Sequence, residues 1–286
     1  MRIDTVDLVP LNKGDIMFRT RLISGIVLVI AALLLISTGH EVLLASTMIL
    51  SLIGICELFK ALKMEKTAVA WISILMTVLY YLNLRFVVVK SPVVYTIAFL
   101  IILLAVYVLN YPKYNTLNVM AGFFGFFYVS VMLSFIYLTR DISGKGKYLV
   151  WMIFLIAWGS DTFAYCAGRL FGKHKMAPVL SPKKTIEGAI GGVLGSALLN
   201  MGYSYIFKNE LNLEIKDICL IGIIAVVGAL VSMIGDLAAS AIKREFEIKD
   251  YGKLIPGHGG VLDRFDSIII TAPIVYFLSM LLVHHA

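Results

Sequence analysis

IPGHGGVLDRFDSIIITAPIVYFLSMLLV, residues 255–283, decides the class of fold. From Ser267 onward it is an uncharged run of about the length that a bilayer-spanning helix requires. Its first half sets His258, Asp263, Arg264 and Asp266 around the Gly259–Gly260 pair at the threshold of that run. Working outward, the same alternation of long apolar run and charged loop repeats along the chain.

The 286 residues are 60% apolar and 15% charged, with a mean hydropathy of +0.91. Soluble domains average about half apolar and a quarter charged. Nine runs are expected to span a membrane: Leu22 to Thr38, Val42 to Leu58, Ala68 to Leu84, Val93 to Tyr111, Leu117 to Thr139, Tyr148 to Gly168, Ala189 to Phe207, Ile218 to Ala239 and Ser267 to Val283. A membrane barrel would show short alternating segments instead. The expectation is an all-α polytopic membrane protein, a bundle of about nine transmembrane helices. The first run is long for a signal peptide and further spans follow it, so it reads as a retained helix. Cys56, Cys166 and Cys219 lie scattered in apolar runs without metal-ligand spacing and read as buried thiols.

The net charge of +7 is informative by location. With nine spans, 18 of the 25 Lys and Arg residues fall on the side of the N-terminus and seven on the other. Basic loops stay cytoplasmic, so the N-terminus is expected in the cytoplasm and the C-terminus outside. Residues 1–146 hold five spans with short connections and no ionisable residue deep within a run, and read as an N-terminal scaffold. Residues 147–286 read as the catalytic domain, four spans with two long polar loops on the cytoplasmic side. The first sixteen residues alternate charge with apolar positions, as an interfacial segment or an extension would.

Three clusters carry chemistry. Asp161 lies inside an uncharged run, where an acid costs roughly 2.5–3.5 kcal/mol on insertion scales and needs a use. Asp161, Tyr165 and Arg169 share a helical face. In GKHKMAPVLSPKKTIEGAIGG, residues 172–192, Lys173, Lys175, Lys183 and Lys184 crowd a helix mouth. Ser181 and Pro182 are a good N-cap and first-turn pair, so a helix is expected to start there, and such a terminus attracts phosphate. An ordinary positive loop explains the charge but not Glu187. In the third cluster Asp236, Ser240, Lys243 and Arg244 form one stripe, followed by Lys249 and Asp250. Glycines 257, 259 and 260 would let backbone N–H groups approach an anion, and Asp263 and Asp266 stand one turn apart. Carboxylates suit a hard divalent cation and basic groups suit phosphate oxygens. Together they suggest metal-assisted phosphoryl or nucleotidyl transfer. His258 would orient a carboxylate, donate to a phosphate, or act as acid or base.

The stretch SAIKREFEIKDYGKLIPGHGGVLDRFD, from Ser240 to Asp266, resembles the signature of the phosphatidate cytidylyltransferases, also called CDP-diacylglycerol synthases. SDTFAYCAGRLFGKHKMAP and LSPKKTIEG look like that family's upstream motifs. The resemblance implies attack of phosphatidic acid on the α-phosphorus of CTP, giving CDP-diacylglycerol and pyrophosphate in phospholipid biosynthesis. It also implies Mg2+, with K+ associated with the same site, and a homodimer in the cell membrane with its active site facing the cytoplasm. By similarity Asp236 and Asp263 are metal ligands, with Asp266 a nearby candidate. Lys243, Arg244 and His258 join them as expected catalytic groups. Asp161, Arg169, Ser181, Lys183, Lys184, Thr185, Glu187, Ser240, Lys249, Asp250, Gly259, Gly260 and Arg264 are the expected substrate contacts. No nucleic-acid partner is expected. The rival readings are a membrane anion transporter and a different lipid-phosphate transferase, and the latter's DG…AR…G…D…D array is not found in the chain.

Overall fold

The computed structural model describes residues 13–285, so most of the sixteen-residue N-terminal segment lies outside the described residues. Its helices are α1 (Lys13–Thr38), α2 (His40–Ala61), α3 (Ala68–Phe86), α4 (Pro92–Leu109), α5 (Thr116–Gly125) and α6 (Met132–Arg140), the last two joined by a π-helical turn (Phe126–Val131). There follow α7 (Gly146–Phe171), the strands β1 (Lys175–Ala177) and β2 (Ser181–Thr185), α8 (Ile186–Ile206), a short α9 (Lys208–Leu211), α10 (Ile215–Glu245) and α11 (Leu262–His285). Each of the nine expected spans coincides with a helix or with the continuous rod Thr116–Arg140. Among the described residues six helices are long and apolar enough to cross a membrane, and Leu22–Thr38 and Val93–Leu109 are shorter apolar helices.

Large apolar side chains cover the outside of the bundle, Trp71, Ile97, Leu198 and Ile223 among them, as expected of a protein solvated by lipid tails. The interior is tied by hydroxyl pairs between helices: Ser51 with Tyr81 at 2.8 Å, Thr77 with Ser130 at 2.7 Å and Tyr80 with Ser134 at 2.9 Å. Such bonds average about 0.6 kcal/mol in a membrane, so small residues that let backbones approach carry much of the packing. A Cβ on Gly192 would lie 2.8 Å from the Ser160 carbonyl oxygen, and one on Gly188 2.8 Å from that of Ala164. These glycines press α8 onto α7. On α10, a Cβ at Gly235 would lie 2.7 Å from the Asp266 carbonyl oxygen. That close crossing sets Asp236 beside the first turns of α11.

The connections sort to two ends. Glu57, at the end of α2, reaches the start of α11, and the Tyr114 hydroxyl accepts the Ala68 N–H at 2.9 Å. At the opposite end Arg85 pairs with Glu41 at 2.5 Å and Arg140 donates to the Ile36 carbonyl at 3.0 Å. The loops grouped together by the charge count thus share an end.

Two local expectations are corrected. The helix expected from Ser181 and Pro182 is instead β2, antiparallel to β1 with Lys175 opposite Thr185 and Ala177 opposite Ser181. Thr185 is the true N-cap of α8, its hydroxyl accepting the Gly188 N–H at 3.1 Å. The two strands satisfy each other's backbone groups, which leaves Ser181 no helix to cap. The three cysteines are exposed on the outer surface, because an apolar run has a lipid-facing side as well as a packed one.

Candidate active site

The polar stretch before α11 is organised by two carboxylates. Asp263 is 4% exposed. Its Oδ2 accepts the N–H of Tyr251 at 2.8 Å and of Gly260 at 2.9 Å, while Lys243 Nζ donates to Oδ1 at 3.0 Å. Gly259 has φ +88°, and a Cβ there would lie 2.7 Å from Asp263 Oδ2, so glycine meets both the backbone and the space requirement. Glu57 accepts the N–H of Val261 at 3.1 Å and of Leu262 at 2.9 Å. A Cβ at Gly252 or Gly260 would collide with that carboxylate. The Gly260 amide, expected to meet a substrate anion, is spent on the chain's own Asp263, and the Val261 and Leu262 amides beside it on Glu57, a correction to the reading of Gly260. The Gly259 N–H is likewise taken, by the Ile255 carbonyl at 3.1 Å.

The Tyr251 phenol donates to the Ala239 carbonyl at 3.1 Å. Burial, aided by nearby Tyr128 and Asp263, pushes its pKa up, so it stays a donor. His258 Nδ1 lies 2.7 Å from the Ser24 hydroxyl, which also donates to the Pro256 carbonyl at 3.1 Å. The loop is thereby tied to α1.

At the mouth of α8, Lys184 pairs with Asp236 of α10. Glu187 precedes the apolar run that begins at Ala189, and it holds the preceding loop. Its carboxylate lies 2.6 Å from His174 Nδ1 and accepts the N–H of Lys173 at 3.1 Å and of His174 at 3.2 Å. The His174 ring, helped by backbone N–H groups, lowers the Glu187 pKa to about 2. Glu187, expected as a substrate contact, serves here as a clasp on the loop that carries the lysines.

Two cavities meet at this level. One, of about 360 Å³, is lined by Asp161, Tyr165, Arg169, Lys183, Lys184, Thr185, Gly188, Met233 and Asp236. The other, of about 340 Å³, is lined by Leu28, Val29, Ala32, Phe154, Trp158, Asp161, Asp236, His258, Asp263, Arg264 and Asp266. Asp161 and Asp236 belong to both. A third, of about 680 Å³, lies against the loop with Lys249, Asp250 and Lys253 and shares His258 and Arg264 with the second. The charges of Asp161, Asp236 and Asp266 reach one another, and Lys184, Arg264 and Lys243 oppose them. Ser267 approaches Asp161 without completing a well-formed hydrogen bond.

The structure thus brings together Asp161, Arg169, Lys183, Lys184, Thr185, Asp236, Lys243, His258, Asp263, Arg264 and Asp266. Ser181, Ser240 and Arg244 line none of these three cavities. Two residues escaped the sequence reading, Glu57 and Tyr128. Glu57 ends an apolar run beside Lys60 and Lys63, where an acid draws little notice; its signal is being the sole acid in that run. Tyr128, buried on the π-helical turn, comes within electrostatic reach of Asp266 and Asp236. Nothing in one sequence distinguishes it from the aromatic residues around it.

As a fit for a divalent cation, the donor set is apt: two of the carboxylates already hold cations, the ammonium groups of Lys184 and Lys243. Among the described residues no three carboxylate, imidazole or thiol side chains converge as a ready metal shell. Magnesium ordinarily takes one or two carboxylates and completes its shell with phosphates and water.

Residues 19–282 match the Cytidylyltransferase family. The phosphatidate cytidylyltransferase of Staphylococcus haemolyticus (strain JCSC1435) is 38% identical over 182 residues, 64% of this chain and 67% of that protein. The proteins of the same name from Staphylococcus aureus (strain COL) and Staphylococcus epidermidis (strain ATCC 12228 / FDA PCI 1200) are each 37% identical over the same shares.

Proposed function

The chain belongs to the cytidylyltransferase family, and on that premise we propose that it joins CTP to phosphatidic acid where its two cavities meet. It is a nucleotidyltransferase of phospholipid biosynthesis that makes CDP-diacylglycerol. The observation that carries the site assignment is the sharing of Asp161 and Asp236 by two cavities, as a reaction between two bulky phosphate-bearing substrates requires.

The nucleotide enters from the loop cavity, past His258 and Arg264, into the cavity that holds Asp263 and Asp266. The lipid headgroup enters the cavity walled by α7, the β1–β2 hairpin, the start of α8 and α10, where Arg169, Lys183 and Lys184 take it. An oxygen of the lipid phosphate attacks the CTP α-phosphorus, the bond to the β-phosphate oxygen breaks, and pyrophosphate leaves. The attacking phosphate is ionised near neutral pH, its second pKa being about 6, so no strong general base is needed. Alignment of the two phosphates and neutralisation of their charge carry the rate. Lys184 and Lys243, held on carboxylates in the free protein, turn to the phosphates when the substrates arrive.

Asp236 and Asp263 would hold Mg2+, with Asp266 a nearby candidate, and substrate phosphates and water would complete its shell. Bound there, it would offset charge on the attacked phosphorus. The concentration of basic residues at this end of the bundle supports an active site facing the cytoplasm, in a cell membrane crossed several times. Assembly as a homodimer follows from the family resemblance.

Detergent-purified protein supplied with CTP, phosphatidic acid and Mg2+ should release pyrophosphate and form CDP-diacylglycerol, and omission of either substrate should abolish both products. No CTP-dependent product would sink the reading. The cavity assignment has its own check: Lys184→Ala should raise the KM for phosphatidic acid more than that for CTP, and Arg264→Ala the reverse. The opposite pattern would exchange the two cavities.

A further inference from the structure

Glu57 stands on α2, more than 200 residues away in sequence from the amides it accepts. It is 9% exposed, and both its oxygens are used, Oε1 by Val261 N–H and Oε2 by Leu262 N–H. A helix N-terminus leaves its first N–H groups without partners inside the helix and carries a partial positive charge. At α11 those groups precede Asp263, Arg264 and Asp266 within one turn. The cradle is built for a carboxylate of this length, since a Cβ at Gly252 or at Gly260 would strike it. Glu57 lines neither of the cavities assigned to the substrates.

We infer that Glu57 is a positioning residue of the reaction, an internal anion that fills the N-terminus of α11. It holds the Asp263–Asp266 turn in register with Asp236 and turns substrate phosphate away from these amides, toward the lysines. It is also one point, beside Ser24 on His258, at which the N-terminal half of the chain acts on the chemistry. The inference rests on the nucleotidyltransferase reading given above, and its test separates the two.

Glu57→Gln keeps the shape and removes the charge, setting an amide N–H against a backbone N–H. It should lower kcat at least tenfold while the KM for CTP stays within twofold, because the group acts on alignment and not on binding. Gly260→Ala, which pushes the same carboxylate from its cradle, should reproduce the loss. The double variant should be no slower than the slower single one, as expected of two changes at one contact. Glu57→Gln with kcat within twofold of wild type, or losses that multiply in the double variant, would overturn the inference. A readout independent of turnover is amide hydrogen exchange. In Glu57→Gln, exchange at Val261 and Leu262 should rise at least tenfold with α10 unchanged, and unchanged exchange at those two amides would overturn it as well. An inactive wild-type protein counts against the function, whereas an active wild type with an undiminished Glu57→Gln counts against the positioning role.

Discussion

Lys184 and Asp236 form an ion pair that joins β2 to α10 at the wall common to two cavities. Both side chains are about three-quarters buried, at 24% and 25% exposure, so the pair is shielded from full screening by salt. Lys184→Ala removes the ion-pair partner of Asp236 and one of the cations that oppose its repulsion with Asp161. The value of kcat/KM for phosphatidic acid should fall about 10- to 100-fold, the range of a lost charge-assisted hydrogen bond. Steady-state kinetics with the lipid varied in mixed micelles measure it, and unchanged kinetics for both substrates would remove Lys184 from the site.

Asp263 takes two backbone N–H groups on one oxygen and Lys243 on the other. Asp263→Asn should abolish pyrophosphate release while the protein remains folded and monodisperse. Chelation of divalent cations should stop the wild-type enzyme, and Mg2+ should restore it. Near-normal turnover in the variant, or activity indifferent to chelation, contradicts the assignment of a cation to these carboxylates.

The Glu187 clasp is sensitive to acid in a stated direction. A carboxyl whose pKa is lowered on folding stabilises the fold above its unfolded value of about 4.3. That contribution is lost as the pH falls toward about 2. The loop of Lys173 and Lys175 should therefore loosen in that window, and Glu187→Gln should loosen it at neutral pH. Limited trypsin digestion after these lysines reports the change, and equal cleavage of variant and wild type at pH 7 would dismiss the clasp.

The orientation of the bundle is open to chemical labelling. In a chain with Cys56, Cys166 and Cys219 replaced by serine, Ile255→Cys should react with a membrane-impermeant thiol reagent only from the cytoplasmic side. Labelling solely from outside would invert the topology and move the chemistry away from CTP.

How much of this was legible in the sequence follows from the physics of each signal. The long apolar runs announce helices because a bilayer forces every backbone group to find its partner within the segment. Charged residues within such runs or at their ends stand out for the same reason, and Asp161, Lys184, Asp236 and Asp263 indeed share one region. The hairpin of β1 and β2 was hidden, since Ser181 and Pro182 suit a helix start equally well and only the pairing of Lys175 with Thr185 decides. Glu57 was hidden for a different reason. Its significance lies in a contact between α2 and α11, and no local pattern encodes a partner so distant. The amides of the glycine loop were read as free for substrate because the anions that fill them come partly from that remote helix.

The wall shared by the two cavities at Asp161 and Asp236 also bears on the kinetic mechanism. With one substrate in each cavity, as proposed, neither would block the other, and both would have to be present before the phosphates meet. Double-reciprocal plots of velocity against CTP at several lipid concentrations should therefore intersect, as in a sequential ternary-complex mechanism, where a shuttling covalent intermediate would give parallel lines.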